Sequence, residues 1–305
     1  MRAITFAAPR IKRYETDDFA PSGEPRFVAI SLNGRQCELL CDHCKTRLLG
    51  ALYQAESPER FATLCEHLHE QGCRGMLLTG GCGSDGTIPL PRFVDAAREA
   101  KNRWGFRYAV HTKLVTEEFV RAAVAVGTDE LMLDVVGDDE SLREVYHLEG
   151  KSVRDVEASL NRAQAAGLAL APHILIGIAR GKVAGERRAL EMLVGRALAA
   201  LCLVVLTPLR NTPLEGTVVD LPAVLDILTA ARQMFPETYL TLGCAKTGGR
   251  TQRAIEEHAL ALGFNAIAYP SDGLVTRARE QGYDVHFSEA CCSFPIFESE
   301  PLSYQ

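Results

Sequence analysis

The sequence predicts an α/β fold, a (β/α)8 TIM-type barrel or an open version of one, with a C-terminal tail over the barrel mouth. Three observations predict it. Short apolar, β-branched runs recur along the chain, each is followed by a longer stretch with helical periodicity, and no composition break or long linker interrupts the alternation. A doubly wound open sheet is the structural rival, because a strand count alone does not exclude it.

In chain order, residues 1–26 form a polar N-terminal arm containing Pro21 and Gly23, and the barrel spans 27–282. The first strand, 27–32, leads into a cysteine-rich loop. Ser57, Pro58 and Glu59 then supply a cap and a proline at the first helical position of 58–71, and Gly72 ends that helix. The second strand, 75–79, runs into Thr79-Gly80-Gly81-Cys82-Gly83, followed by a helix over 91–103. The third, 107–111, ends in His111-Thr112 before a helix over 116–126 closed by Gly127. The fourth, 130–135, carries Asp134 and precedes a helix over 152–166 closed by Gly167. The fifth, 170–177, bears His173 and ends in Gly177, with a helix over 185–198. The sixth, 201–207, reaches Thr207-Pro208, with a helix over 222–234. The seventh, 239–243, runs into Gly243-Cys244 and a helix over 252–262. The eighth, 265–269, ends in Pro270-Ser271, and a tail follows over 283–305. In a βα barrel, chemistry sits where strands end and the following loops begin, so this concentration of polar and small residues marks a site.

Composition narrows the class. A chain of 305 residues, 47% hydrophobic and 24% charged, is ordinary for a soluble globular protein. Its longest apolar stretches, 198–206 and 168–178, are too short to span a bilayer, and the second contains Pro172 and His173. The first residues show no basic segment leading into an apolar core, so a cytoplasmic location is expected. A net charge of −6 and a pI near 5.8 argue against nucleic acid as a partner.

Ten cysteines are the outlier. Cys37, Cys41 and Cys44 are bunched, as are Cys291 and Cys292, whereas Cys65, Cys73, Cys82, Cys202 and Cys244 are scattered. Free cysteine is among the most buried residue types, so the scattered ones read first as small core hydrophobes. The triplet has the spacing C-x3-C-x2-C. Structural zinc wants four closed ligands, and no fourth cysteine lies nearby; His43 sits awkwardly between two of the three. An iron–sulfur cluster on three cysteines leaves one iron open.

This triplet after a first barrel strand, with a Gly-Gly loop after the second, resembles the radical S-adenosylmethionine (SAM) superfamily. The likeness runs from about residue 28 to 269 and is strongest to the biotin synthase and lipoyl synthase branch. Thr212-Pro213-Leu214 is similar to that branch's Gly-Thr-Pro-Leu, with Asn211 where glycine is usual. Val145-Tyr146-His147, residues 156–160 and Ala166-Gly167 fit its fourth-helix region. His43 stands where the superfamily has an aromatic residue.

The resemblance implies a [4Fe-4S] cluster on Cys37, Cys41 and Cys44 that chelates SAM and cleaves it to a 5′-deoxyadenosyl radical. It implies contacts to the methionine moiety from Thr79, Gly80 and Gly81, ribose contacts from Asp134, and adenine packing on Gly177 and Ile178. His111 and His173 would line the same pocket. Biotin synthase holds a second cluster on inner-strand cysteines, but His111, Asp134 and His173 occupy the matching strand ends. Lipoyl synthase uses an N-terminal cysteine motif, yet no cysteine precedes Cys37.

Cys244, Cys291 and Cys292 remain as ligands of a second iron–sulfur cluster, with an oxygen ligand such as Ser293 or Ser303. The motifs 37–41 and 288–293 resemble a two-protein lipoyl synthase system of archaea and some bacteria. That likeness implies sulfur insertion into an octanoyl chain on a carrier protein or peptide, a partner radical SAM protein, and an electron donor such as ferredoxin or flavodoxin. A radical SAM enzyme of another reaction type, such as a mutase, is the nearest alternative. A zinc-stabilised barrel that binds a small molecule is the alternative of a different class. Arg180, Lys182, Arg187 and Arg188 read either as a solvated helix start or as a docking surface for an acidic carrier domain.

Overall fold

Strand and helix alternate in the computed structural model, which describes residues 2–294 apart from Arg13 and Ser22. The strands are β1 (Ala3–Ala7), β2 (Phe27–Ser31), β3 (Tyr53–Gln54), β4 (Gly75–Thr79), β5 (Arg107–Thr112), β6 (Glu130–Leu133), β7 (His173–Ile176), β8 (Leu201–Val205), β9 (Leu240–Leu242), β10 (Ala266–Ala268) and β11 (Asp284–Ser288). The helices are α1 (Pro58–Glu70), α2 (Val94–Trp104), α3 (Glu117–Val126), α4 (Asp139–Glu144), α5 (Val153–Ala165), α6 (Glu186–Leu193), α7 (Leu221–Met234), α8 (Gly249–Ala261) and α9 (Leu274–Glu280).

All eight predicted strands are present. Their residues are mostly buried on both faces, as parallel strands under helices must be. β7 starts later than predicted because Pro172 has no N–H to give the ladder. The sheet order is β3-β2-β4-β5-β6 in one sheet and β7-β8-β9-β10-β1-β11 in the other, with every ladder parallel. Isolated bridges Leu131↔Leu170 and Asp134↔His173 join the two sheets. Among the described residues no ladder joins β2 or β3 to β11.

Three strands lie outside the predicted alternation: β1, β11 and the two-residue β3, which pairs with β2. β1 sits between β10 and β11, in the register Thr5↔Ala266 and Ala3↔Asp284. Each of β1 and β11 is only five residues long, and β1 has no helix directly after it, so neither shows a βα signature.

The helices cover the outside by the usual amphipathic logic. In α3, Phe119, Ala122, Ala123 and Val126 recur on one buried face, while Thr116 caps the N-terminus by accepting from the Phe119 N–H. That cap is worth about 1 kcal/mol, and burying Phe119 about 1.5–3 kcal/mol.

The described part of the C-terminal tail does not lie across the mouth; it runs beneath it, inside the barrel. The Ala8 N–H donates to the Ser288 carbonyl at 2.8 Å, and Arg10 pairs with Glu289 at 3.2 Å. Ala290, Cys291 and Phe294 then pack among Phe27, Ala109, Met132, Ala171 and Ala200, with the Phe27 and Phe294 rings 5.9 Å apart. Small side chains at 109, 171 and 200 leave room inside the barrel, and the tail enters it. Ser303 lies outside the described residues.

Candidate active site at the strand ends

The loop after β2 carries Cys37, Cys41 and Cys44 at the mouth. It coils tightly, with Leu40, Lys45 and Thr46 at positive φ and the Cys44 and Lys45 N–H groups donating to the Cys41 carbonyl at 3.1 and 2.9 Å. Three neighbouring segments hold it. The Glu38 N–H donates to the Cys82 carbonyl at 2.9 Å. Asn33 grips the second loop from both sides, donating to the Gly81 carbonyl at 2.8 Å and accepting from the Gly81 N–H at 3.0 Å. Gly81 packs so closely that a Cβ there would lie 1.9 Å from the Gln36 carbonyl oxygen and 2.5 Å from the Cys37 Cβ. The glycine is therefore required by the cysteine loop itself.

The third clasp is the stretch Val145-Tyr146-His147. The Asp42 N–H donates to the Val145 carbonyl at 2.8 Å, and the Cys41 thiol lies 3.4 Å from the Tyr146 carbonyl. His147 bonds the Leu39 carbonyl at 2.8 Å and Asp42 at 3.1 Å. Arg180, from the basic cluster, reaches Asp42 at 3.4 Å. His43 packs on Tyr146 with ring centroids 5.0 Å apart, so it fills an aromatic position. Burial pushes its imidazole down to about 3, leaving it neutral.

The three thiols are close enough that Cys37 and Cys44 each bear electrostatically on Cys41. Burial first, then those neighbours, pushes the Cys41 thiol up to about 12, against the pull of Lys113. Among the described residues no three Cys, His, Asp or Glu side chains converge as a single metal ion requires. A cubane binds each thiolate to a different iron, so convergence on one point is not what it asks for. Three thiols beside a buried ammonium fit such a cluster.

Beneath the loop lies a buried polar layer. Asp134, just past β6, accepts from Lys113 and pairs with the His111 ring at 3.0 Å. Burial opposes ionisation of both members of the Lys113–Asp134 pair. Their attraction outweighs it, holding Asp134 well below and Lys113 above their ordinary ranges. The His111 and His173 rings are 5.2 Å apart. Burial, then His111, lowers His173 to about 3; its Nδ1 faces the Ala171 carbonyl at 3.0 Å and its Nε2 the Ser293 hydroxyl at 3.3 Å. Thr79 donates to the His111 carbonyl at 3.3 Å.

Gly177 and Ile178 lie at the far side of the mouth. The Gly177 N–H donates to Glu186 at 2.7 Å, and Ile178 is buried. Asn211 adopts φ 57°, a left-handed conformation that asparagine tolerates in place of glycine. Thr212 beside it donates to the Leu209 carbonyl at 2.8 Å.

The tail brings the second cysteine group together. Cys202 and Cys292 share one buried cluster, and Cys244 packs against it. Cys291 lies 3.3 Å from the Ser293 hydroxyl. Lys113, Asn33, Tyr146, His147 and Cys202 are the residues here that sequence reasoning did not single out for a site. Lys113, two residues past His111 at a strand end, carried the one readable signal.

No protein-family model matches the sequence, and no curated protein matches it. Solved structures share its fold. Methylornithine synthase (PylB) superposes with a TM-score of 0.59 at 18% identity, covering 85% of this chain and 82% of that one. The FeFe-hydrogenase maturase HydG from Carboxydothermus hydrogenoformans gives 0.59 at 15% identity over 85% of this chain and 66% of its own. SuiB of Streptococcus suis, solved with S-adenosylmethionine bound, gives 0.55 at 12% over 77% and 53%. The chain thus spans just under two thirds of HydG and about half of SuiB. At these identities the likeness is one of fold.

Proposed function

We propose that this chain is a radical SAM enzyme. The observation that carries the reading is the loop of Cys37, Cys41 and Cys44, fixed by three clasps at the strand C-termini, directly over the buried His111–Asp134–Lys113 layer. SuiB, which has the same fold, was solved with SAM bound, and that supports a SAM site at this mouth. A [4Fe-4S] cluster on the three thiolates, together with SAM, supplies a 5′-deoxyadenosyl radical that takes hydrogen from an unactivated carbon.

The chain's own residues give that chemistry its setting. Asn33 and Gly81 hold the loop against the second strand end, and Tyr146 and His147 close its outer side. Asp134 would meet the ribose hydroxyls of bound SAM, Thr79 and Gly80 its methionine end, and Gly177 and Ile178 its adenine. His111 and His173 wall the pocket, and the buried tail excludes water from below.

For the reaction, we infer sulfur insertion into an octanoyl chain on a carrier protein or peptide, with sulfur from a second iron–sulfur cluster on Cys244, Cys291 and Cys292. What supports this reading is that the Ser293 hydroxyl meets both Cys291 and His173, each at 3.3 Å, and that Cys244 packs against the cluster holding Cys292. A partner radical SAM protein, and ferredoxin or flavodoxin as electron donor, complete the proposal. No helix among the described residues is long and apolar enough to cross a membrane, which is compatible with a cytoplasmic setting.

Anaerobic reconstitution with SAM, a reductant and an octanoyl-lysine peptide tests both levels. The expected result is 5′-deoxyadenosine together with a thiolated peptide, both lost in Cys41→Ala. Fully iron-loaded protein that forms no 5′-deoxyadenosine, or formation that persists in Cys41→Ala, overturns the radical SAM reading. 5′-Deoxyadenosine without thiolated peptide overturns sulfur insertion and favours another radical reaction.

A further inference from the structure

Cys202 lies on β8, distant in sequence from every other cysteine of the tail group, and its small buried side chain would ordinarily count as core. Its surroundings say otherwise. Cys202 packs in one buried cluster with Cys292, whose chain neighbour is Cys291. Cys244 enters the same cluster from the end of β9. Cys202 is paired in register with His173 on one side and Thr241 on the other, so its position is set by two ladders. Gly243 makes room for its sulfur: a Cβ there would lie 2.8 Å from the Cys202 Sγ. Cys202, Cys244 and Cys292, from two strand segments and the tail, therefore pack together, with Cys291 next along the chain to Cys292.

Lys12, 4.0 Å from the Tyr269 ring centroid, favours a thiolate at Cys244, whereas Lys246 is matched by Glu256 at 2.9 Å and the buried Glu130 carboxyl bears on Cys291 and Cys292. Soft thiolate donors in this number select iron–sulfur centres. The serine offered as an oxygen ligand is otherwise engaged, since the Ser293 hydroxyl meets His173 and Cys291, each at 3.3 Å.

We infer that Cys202 is the fourth ligand of the tail site, closing it with an all-cysteine set of Cys202, Cys244, Cys291 and Cys292. This rests on the proposed second cluster and deepens it: the site has no vacant corner for SAM, which leaves the mouth cluster as the sole place where SAM is chelated. It also fastens the tail to β8 and β9, so that filling the site and ordering the tail are linked.

The test is iron and sulfide content with electron paramagnetic resonance of the reduced, anaerobically reconstituted full chain. Wild type is expected to hold about eight irons per chain and Cys202→Ala about four. In Cys202→Ala the SAM-responsive signal of the mouth cluster is retained. Cys202→Ser is expected to restore part of the second signal with shifted g-values. Cys65→Ala, a buried cysteine remote from both groups, controls for general destabilisation and is expected to keep about eight.

Wild-type content with an unchanged second signal in Cys202→Ala overturns the assignment while leaving the second cluster standing. Equal iron loss in Cys65→Ala and Cys202→Ala also overturns it. About four irons in wild type overturns the second cluster itself, and with it this inference. A Cys202–Cys292 disulfide found by non-reducing peptide mapping of the reconstituted protein does the same.

Discussion

Replacing Gly81 by alanine probes the most tightly fitted contact at the mouth. The new Cβ would meet the Gln36 carbonyl at 1.9 Å, against an ordinary contact of 3.4 Å or more, so one segment must retreat by about 1.5 Å. Retreat breaks the two Asn33–Gly81 hydrogen bonds, each worth about 0.5–1.5 kcal/mol. Overpacking adds about 1–3 kcal/mol. The expected loss is about 2–6 kcal/mol, or about 3–9 °C in melting temperature for a chain of this size. Because the displaced atoms belong to Gln36 and Cys37, iron uptake at the mouth should fall with stability. Gly83→Ala is the matched control, since its Cβ would meet Asp85 at 3.4 Å and nothing nearer. Thermal melting and iron content of both variants check the reasoning. A Gly81→Ala protein that melts with wild type and binds the same iron refutes it.

Lys113→Met should destabilise the protein by about 3–5 kcal/mol at neutral pH, by stranding a buried Asp134 charge. Asp134 is depressed in the folded wild type, so its contribution is present above the ordinary carboxylate range and lost as pH falls through it. In the variant its pKa rises, and the melting gap to wild type should therefore be wide at pH 8 and narrower at pH 5. Arg232→Met should cost about 2–4 kcal/mol, measured by urea unfolding. The guanidinium serves the carbonyls of Phe235, Pro236, Thr238 and Gly263 and the Asn265 side chain, and its loss leaves those acceptors at the base of the barrel unpaired.

The alternation of strands was readable because both faces of each parallel strand are buried, which writes an uninterrupted apolar run into the sequence. β1 escaped because no helix directly follows it, and β11 because its residues are partly exposed and include Asp284 and His286, so it carries no uninterrupted apolar run. The cysteine loop was legible for a similar reason: its three ligands are local, so spacing alone records them. What holds the loop is not local. His147 is far along the chain from Leu39, and Asn33 from Gly81, so only the fold brings them together. Cys202 was hidden in another way. One thiol on an apolar strand looks the same in sequence whether its neighbour is leucine or a second thiol, and the difference lies in where the tail goes.

The course of the tail decides how the two cysteine groups stand to each other. A tail across the rim would put Cys291 and Cys292 on the solvent side of SAM. Running inside the barrel, it puts them below His111 and His173, with Ser293 touching His173 from beneath. On the proposed reading, a substrate chain entering at the mouth meets the radical before the sulfur, and the carbon radical then faces a donor already enclosed by Ala171, Ala200 and Phe294 rather than water. That order is what sulfur insertion at an unactivated carbon requires, because the donor must be the nearest partner once hydrogen has left. The same geometry makes Ser293 informative. Ser293→Ala removes only the hydroxyl between His173 and Cys291, so thiolated product should fall relative to 5′-deoxyadenosine. An unchanged ratio, measured by mass spectrometry under single-turnover conditions, would show that the contact beneath His173 plays no part in handing sulfur to the substrate.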